Sequence, residues 1–125
     1  MTVFTAALVA VLFGAGVYMI LQRTLTRVVL GLALLSHGAN LLLLIVGGSA
    51  GLAPLIGRFT GDDTVADPIP QALVLTAIVI SFGMTAFLLA LAFRSWQLTH
   101  DDTVEDDPED KRIARQLERR AGGGR

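Results

Sequence analysis

The sequence predicts an all-α integral membrane protein with three transmembrane helices. Of its 125 residues, 53% are hydrophobic, those residues gather into three long blocks, and most of the charge lies outside the blocks. A soluble domain of this size spreads polar residues along the chain to cover its core, so the arrangement fits a bilayer solvent better than water.

The first block runs from Val3 to Leu21 without a charge. At ~1.5 Å per residue it is about long enough to cross a ~30 Å hydrocarbon core. It begins next to Met1 with no basic segment ahead of it and no convincing small-residue cleavage site, which predicts a retained helix rather than a signal peptide. Gln22, Arg23, Thr24 and Arg27 make a very short connection to the second block, Val28 to Val46, which stops at Gly47-Gly48. The third block follows Pro68-Ile69-Pro70 and is closed by Arg94 and Trp96. The expected helices are therefore about 3–21, 28–46 and 71–94, within a transmembrane domain of residues 1–96. Pro70 suits the first turn of the third helix, where a missing N–H costs nothing, and Asp67 suits the positive end of its dipole.

Orientation follows from the basic residues near the spans. Arg23 and Arg27 lie in the first loop and Arg94 at the exit of the third span. The loop between the second and third spans carries Arg58 together with Asp62, Asp63 and Asp67. Counting Lys and Arg places the first loop and the C-terminal exit in the cytoplasm, and three spans then place the N-terminus outside. In the external loop a short apolar stretch, Leu52 to Ile56, suits the membrane interface. Residues 97–125 form a charged cytoplasmic tail, acidic from Asp101 to Asp110 and basic from Lys111 to Arg120. Ile113 and Leu117 stand one turn apart, but two apolar anchors do not bury a core. A flexible, solvated tail is expected, with docking onto a neighbour or onto anionic lipid as the alternative.

Few residues in the spans carry chemistry. There is no cysteine, and none of the three span interiors holds an Asp, Glu, Lys or Arg. No cofactor site and no metal site are expected. Neither a phosphate-binding glycine loop nor a nucleophile–base pair is recognisable, so neither an enzyme nor a nucleic-acid partner is expected. His37 is the only titratable side chain near a bilayer midplane apart from Tyr18. Ser36, His37 and Asn40 occupy overlapping faces of the second helix and form a polar patch in an aliphatic segment. Such a patch faces protein or water, so it is read either as a proton relay or water-organising site, or as a hydrogen-bonding group that fixes neighbouring helices. Small residues also recur at helical spacing: Ala6, Ala10 and Gly14 on the first helix, Gly31 and Gly38 on the second, Ala77, Ser81 and Thr85 on the third. Seams of this kind let helix backbones approach closely. Thr76 and Ser81 are expected to bond back to their own helix.

The run from Asp67 to Ile80, Asp-Pro-Ile-Pro-Gln-Ala-Leu-Val-Leu-Thr-Ala-Ile-Val-Ile, resembles the signature of the MrpC/MnhC family, the small C-type subunits of Mrp-type multisubunit Na⁺/H⁺ antiporters, with Asp67, Pro68, Pro70, Gln71 and Thr76 as its markers. Gly31 to Leu41 resembles the matching segment of the second helix, and the likeness covers about residues 3 to 96. That family is similar in turn to the NuoK-type membrane subunit of respiratory complex I, whose membrane-embedded glutamates belong to a proton pathway. Here the corresponding positions, near Ala33 and around Val79 to Ile80, are apolar. The resemblance thus implies a NuoK-like fold and a place in a larger complex more than proton carriage. Implied partners are the large antiporter-like subunits and other small hydrophobic subunits, with the lipid bilayer around them. Na⁺ and H⁺ are the ions the complex moves, in the service of sodium tolerance and pH homeostasis. The expected location is a bacterial inner (cytoplasmic) membrane, crossed several times. The competing expectation is a small independent transporter acting as a homo-oligomer.

Overall fold

In the computed structural model of the chain, residues 3–48, 51–53, 55, 64–105 and 107–124 are described. Four helices follow one another, α1 Val3–Ile20, α2 Leu25–Val46, α3 Pro68–Thr99 and α4 Pro108–Gly122, and no strand is present among the described residues. The first three are long and apolar enough to cross a membrane. Most of the connection between α2 and α3, including Pro54, Ile56, Arg58, Asp62 and Asp63, lies outside the described residues.

The helices form a row with α2 in the middle. Among the described residues α2 packs against both α1 and α3, while α1 and α3 do not meet and α4 packs on none of them. The α1–α2 contact brings backbone close to backbone and seats side chains against glycines of the facing helix. A Cβ built on Gly31 would lie 2.7 Å from the Gly16 carbonyl oxygen, and one on Gly16 would lie 3.0 Å from that of Gly31. Only glycine permits that approach. Two turns along, Gly38 presses on the Phe13 ring in the same way. In lipid, where burying apolar area gives helices no reason to associate, such close backbone contact is the main attraction available.

Both ends of α3 are set locally. α3 begins at Pro68, earlier than the expected start at 71, because Asp67 caps it: Ile69 N–H donates to Asp67 Oδ1 at 3.0 Å. Pro68 and Pro70 both fall in the first turn, where backbone N–H groups have no intrahelical acceptor. At the other end the helix runs past Arg94 to Thr99 and closes on His100, which adopts the left-handed conformation (φ 54°) and donates its N–H to Trp96 O at 2.7 Å. Its 32 residues span roughly 48 Å, so α3 stands well beyond a ~30 Å hydrocarbon core. Gly47, after the last turn of α2, abuts Pro70, leaving 2.7 Å for a Cβ.

The segment after α3 turns back onto the α1–α2 connection. Thr24 and Thr103 form an antiparallel bridge, in which Leu25 N–H donates to Asp102 O at 2.8 Å and Val104 N–H to Arg23 O at 2.7 Å. Thr24 occupies the N-cap position of α2 but makes no side-chain cap bond. Asp102 supplies the acceptor instead, its Oδ1 receiving Thr26 N–H at 3.3 Å. A carboxylate at that point also sits favourably at the positive end of the helix. The start of the tail is therefore a strap holding the ends of α2 and α3 together, and α4 beyond it is a capped helix, with Asp107 Oδ1 accepting Glu109 N–H at 3.1 Å.

Two measurements test this arrangement. Gly31→Ala should lower thermal stability in detergent by about 2 kcal/mol through overpacking against α1, whereas Gly14→Ala, with nothing within 4 Å of the added methyl, should be neutral or slightly stabilising. The strap should be acid-labile. Thr103 hydrogen bonds hold the Asp101 carboxyl below its ordinary pKa of 3.8. A carboxyl depressed on folding stabilises above its unfolded pKa and stops doing so as pH falls through the folded value. Hydrogen-exchange protection of the Leu25 and Val104 amides should hold at neutral pH and fall below pH ~4, with the acid loss blunted in Asp101→Asn.

Candidate functional site

The polar groups at membrane depth lie along the α2–α3 seam. Ser36 on α2 and Ser81 on α3 meet Oγ to Oγ at 2.5 Å. Ser81 Oγ also donates to Ala77 O at 2.6 Å. A hydroxyl has one proton to give, so the Ser36 hydroxyl is the donor in the bond between the helices. The result is a directed ladder from Ser36 to Ser81 to the α3 backbone, both serines partly buried. Serine is small enough to let the two helices approach, and a hydroxyl in hydrocarbon gains from any partner it finds.

His37 follows Ser36 but points elsewhere. It is exposed on the surface of the three-helix row and lines a cleft of about 150 Å³ with Ala33, Ile78, Ser81, Phe82 and Thr85. Ser81 joins this cleft to the serine ladder, Thr85 adds a second hydroxyl, and Ala33, Ile78 and Phe82 complete the lining. Asn40, one turn beyond Ser36, is 9% exposed, and its Nδ2 has no hydrogen-bond partner among the described residues. A buried donor left unmet costs on the order of 1–3 kcal/mol. The three residues expected as one patch thus take three positions. Ser36 bridges to α3, His37 opens outward beside Ser81, and Asn40 is enclosed.

The small-residue seams are placed as follows. Gly31 and Gly38 are buried against α1. Ala77, Ser81 and Thr85 share the partly covered face of α3, and Ala6 is half-buried. Ala10 and Gly14 are exposed, with open space around Gly14. The α1 residue that meets α2 is Gly16. Its signal lay in Phe13, Gly16 and Ile20, which recur at helical spacing and all reach Gly31 or Gly38, and a four-residue search starting from Ala6 passes over it. Of the signature residues, Asp67 caps α3, Pro68 and Pro70 form its first turn, Gln71 is exposed, and Thr76 Oγ1 bonds back to Ala72 O at 2.9 Å. Asp102, with its role at the start of α2, carried no sequence signal, because nothing local links it to a turn 76 positions away. No group of His, Asp or Glu suited to a metal ion occurs among the described residues.

The chain is similar to known proteins over most of its length. The family described as NADH-ubiquinone/plastoquinone oxidoreductase chain 4L matches residues 4–107. A protein of Bacillus subtilis, named as the C subunit of a Na⁺/H⁺ antiporter, is 45% identical over 106 residues, which is 84% of this chain and 92% of that one. The protein of the same name from Alkalihalophilus pseudofirmus is 49% identical over 105 residues, 84% of this chain and 93% of its own. Among solved structures, a chain of the Mrp complex from a Dietzia species aligns with a TM-score of 0.71 at 40% identity, covering 86% of this chain and 81% of that one. A chain of the archaeal membrane-bound sulfane sulfur reductase, a respiratory membrane complex, aligns with a TM-score of 0.70 at 32% identity, covering 86% and 98%.

The serine bridge is measurable by a double-mutant cycle. Ser36→Ala and Ser81→Ala should each destabilise the chain in bicelles, and the double variant should fall short of their sum by about 0.6 kcal/mol, the usual size of such a bond between membrane helices. Strict additivity would mean the two hydroxyls do not interact.

Proposed function

The chain belongs to the NADH-ubiquinone/plastoquinone oxidoreductase chain 4L family, and from that membership we propose that it is the small C-type subunit of a multisubunit Na⁺/H⁺ antiporter of a bacterial cytoplasmic membrane. The observation that carries the proposal is the 45–49% identity to two proteins that bear that subunit's name, each matched over nine-tenths of its length. The chain is a transporter subunit, non-catalytic in the enzymatic sense, and its partners are the other subunits of an Mrp-type assembly.

Physical features of the chain support a subunit rather than a self-sufficient transporter. Coupled ion movement needs groups that change charge at membrane depth, and the span interiors offer His37 alone. A row of three helices encloses no path of its own, and its large side chains face outward, Val11 at 65%, Leu75 at 65% and Phe82 at 76% exposed. Those surfaces are for neighbouring subunits and lipid. The proposed topology has the N-terminus outside, and Arg23, Arg27 and Arg94 on the cytoplasmic side. The bridge between Thr24 and Thr103 supports it in part, since it brings the first turn and the end of α3 to the same face.

Within the assembly the main role proposed for this chain is structural. Ser36 and Ser81 fix α3 on α2, and His37, in its cleft, is the polar point against which a neighbouring subunit packs. A water-organising or proton-handling role of His37 is the competing reading, supported by its contact with a cleft that includes Ser81 and Thr85. Affinity purification of the tagged chain from its native membrane in mild detergent should recover the large antiporter-like subunits in fixed proportion. His37→Ala should reduce the yield of intact complex by an amount reflecting about 1–2 kcal/mol at the interface, while Na⁺/H⁺ exchange per assembled complex in vesicles is kept. Normal assembly with antiport abolished would transfer His37 from packing to proton handling. Recovery of the chain alone, as an oligomer transporting in liposomes, would overturn the subunit reading.

A further inference from the structure

We propose that α4 is a membrane-surface helix that binds the anionic phospholipid headgroups beside the strap, and so anchors the end of the chain to the leaflet it leaves.

The tether comes first. Val104 is bonded to Arg23 in the α1–α2 connection, and Asp102 to the first turn of α2. The strap is thereby fixed where two membrane helices reach the surface. α4 starts at Pro108, four residues after Val104, a reach of about 14 Å at most. The start of the helix is thereby held within about 14 Å of the strap, roughly two Debye lengths at physiological salt.

Charge selects the occupant. Lys111, Arg112, Arg115, Arg119 and Arg120 face three acids on this helix. Two of those, Glu109 and Asp110, sit in the first turn, where they serve the positive end of the helix dipole, and Glu109 is paired with Arg112 at 3.7 Å. From Lys111 to the end of α4, Glu118 is the single acid among five cations. Lys111, Arg115 and Arg119 recur at helical spacing along one side. Ile113 and Leu117 recur along another, 50% and 60% exposed, with Ala114 and Ala121 beside them and Asp110 at its N-terminal edge.

The apolar side is too narrow for a protein groove. A groove-bound amphipathic helix uses three or four large anchors over two turns, and α4 has two. A headgroup region asks less: shallow insertion of a few apolar groups, long cationic stems reaching phosphates, and low hydrophobicity overall. Each cation held near an anionic leaflet adds attraction that salt screens. Isolated helices of this length are marginal in water, and the caps at Asp107 and Gly123 shape the segment without giving it anything in the chain to pack on.

The absence of cysteine from the chain gives a direct test. Leu117→Cys provides a unique thiol for an environment-sensitive fluorophore, attached to the full-length protein in detergent before reconstitution. Vesicles of phosphatidylcholine alone are compared with vesicles containing about 30 mol % phosphatidylglycerol. Both leaflets have the same composition, so orientation does not enter, and neither does membership of an antiporter complex. The expected result is a blue-shifted, brighter emission with phosphatidylglycerol, reversed at about 1 M salt, where the Debye length falls to ~3 Å, and absent without the anionic lipid. The triple variant Arg112→Glu, Arg115→Glu, Arg119→Glu should lower the affinity on the order of a hundredfold. The lipid and salt comparisons need no charge variant, so loss of helicity in the triple variant does not cloud them. Identical emission in both vesicle types would overturn the proposal. Where that shared emission is apolar and indifferent to salt, Leu117 is seated on protein or in neutral lipid.

Discussion

The close approach of two glycine backbones, Gly16 and Gly31, is the contact on which the rest of this structure depends. Lipid tails are as apolar as leucine, so the membrane helices gain little by burying one another, and their contact must come from packing and hydrogen bonds. With a Cβ at either position α1 would stand off, since only 2.7–3.0 Å is available to it. Fixing α1 on one side of α2 leaves the other side for α3, and that side carries Ser36, which bonds to Ser81. The middle helix is thus held by two different attractions. On one face the backbone itself packs, and on the other a hydroxyl finds a hydroxyl.

A row of helices held this way has few interior positions. Val29 and Val74 are the buried large hydrophobic residues among those described, at 7% and 5% exposure. A soluble protein with so small a core would not fold. In a membrane the outward leucines and phenylalanines are already in their preferred solvent, so the exposed surface carries no penalty and remains available for other helices. The strap adds a constraint of another kind. It works where water returns, at the helix ends, where the first N–H groups of α2 lack intrahelical acceptors. A hydrogen-bonded bridge and a carboxylate cap meet that need from the far end of the transmembrane domain. The acidic segment Asp101–Asp102 therefore contributes to the fold before α4 begins.

The spans were legible because length and uninterrupted apolarity dictate them, and their number in the structure matches. Their ends were less so. Asp67 and the two prolines point to a helix start, but proline is tolerated throughout the first turn, and the sequence pattern alone does not choose between Pro68 and Gln71. Arg94 reads as a terminus since it leaves the hydrocarbon, yet a helix does not stop on leaving lipid, and α3 continues until His100 turns it. Ser36, His37 and Asn40 were visible as a polar set. Their separation into bridging, outward and enclosed positions was not, since overlapping faces on a wheel do not say where α3 lies. Gly16 was hidden by the competing four-residue pattern through Ala6, Ala10 and Gly14. The strap was unreadable in principle, because its bonds join residues 76 or more positions apart in a segment whose composition is that of a solvated tail.

The placement of His37 is where fold and function meet. A histidine on the central helix of a compact bundle would be enclosed by its own chain. In a row, the middle helix keeps an uncovered edge, and His37 stands on it beside a ladder of hydroxyls already committed to one another. The Ser36 O–H donates its hydrogen bond to Ser81 and the Ser81 O–H to Ala77 O, so neither serine has an O–H left for the imidazole without breaking a bond within the seam. An imidazole at hydrocarbon depth is costly unless another polar group meets it. On the proposed reading, that requirement makes the chain depend on its neighbours at this point. The same row of helices that leaves this edge uncovered offers the proposed assembly a surface on which to close.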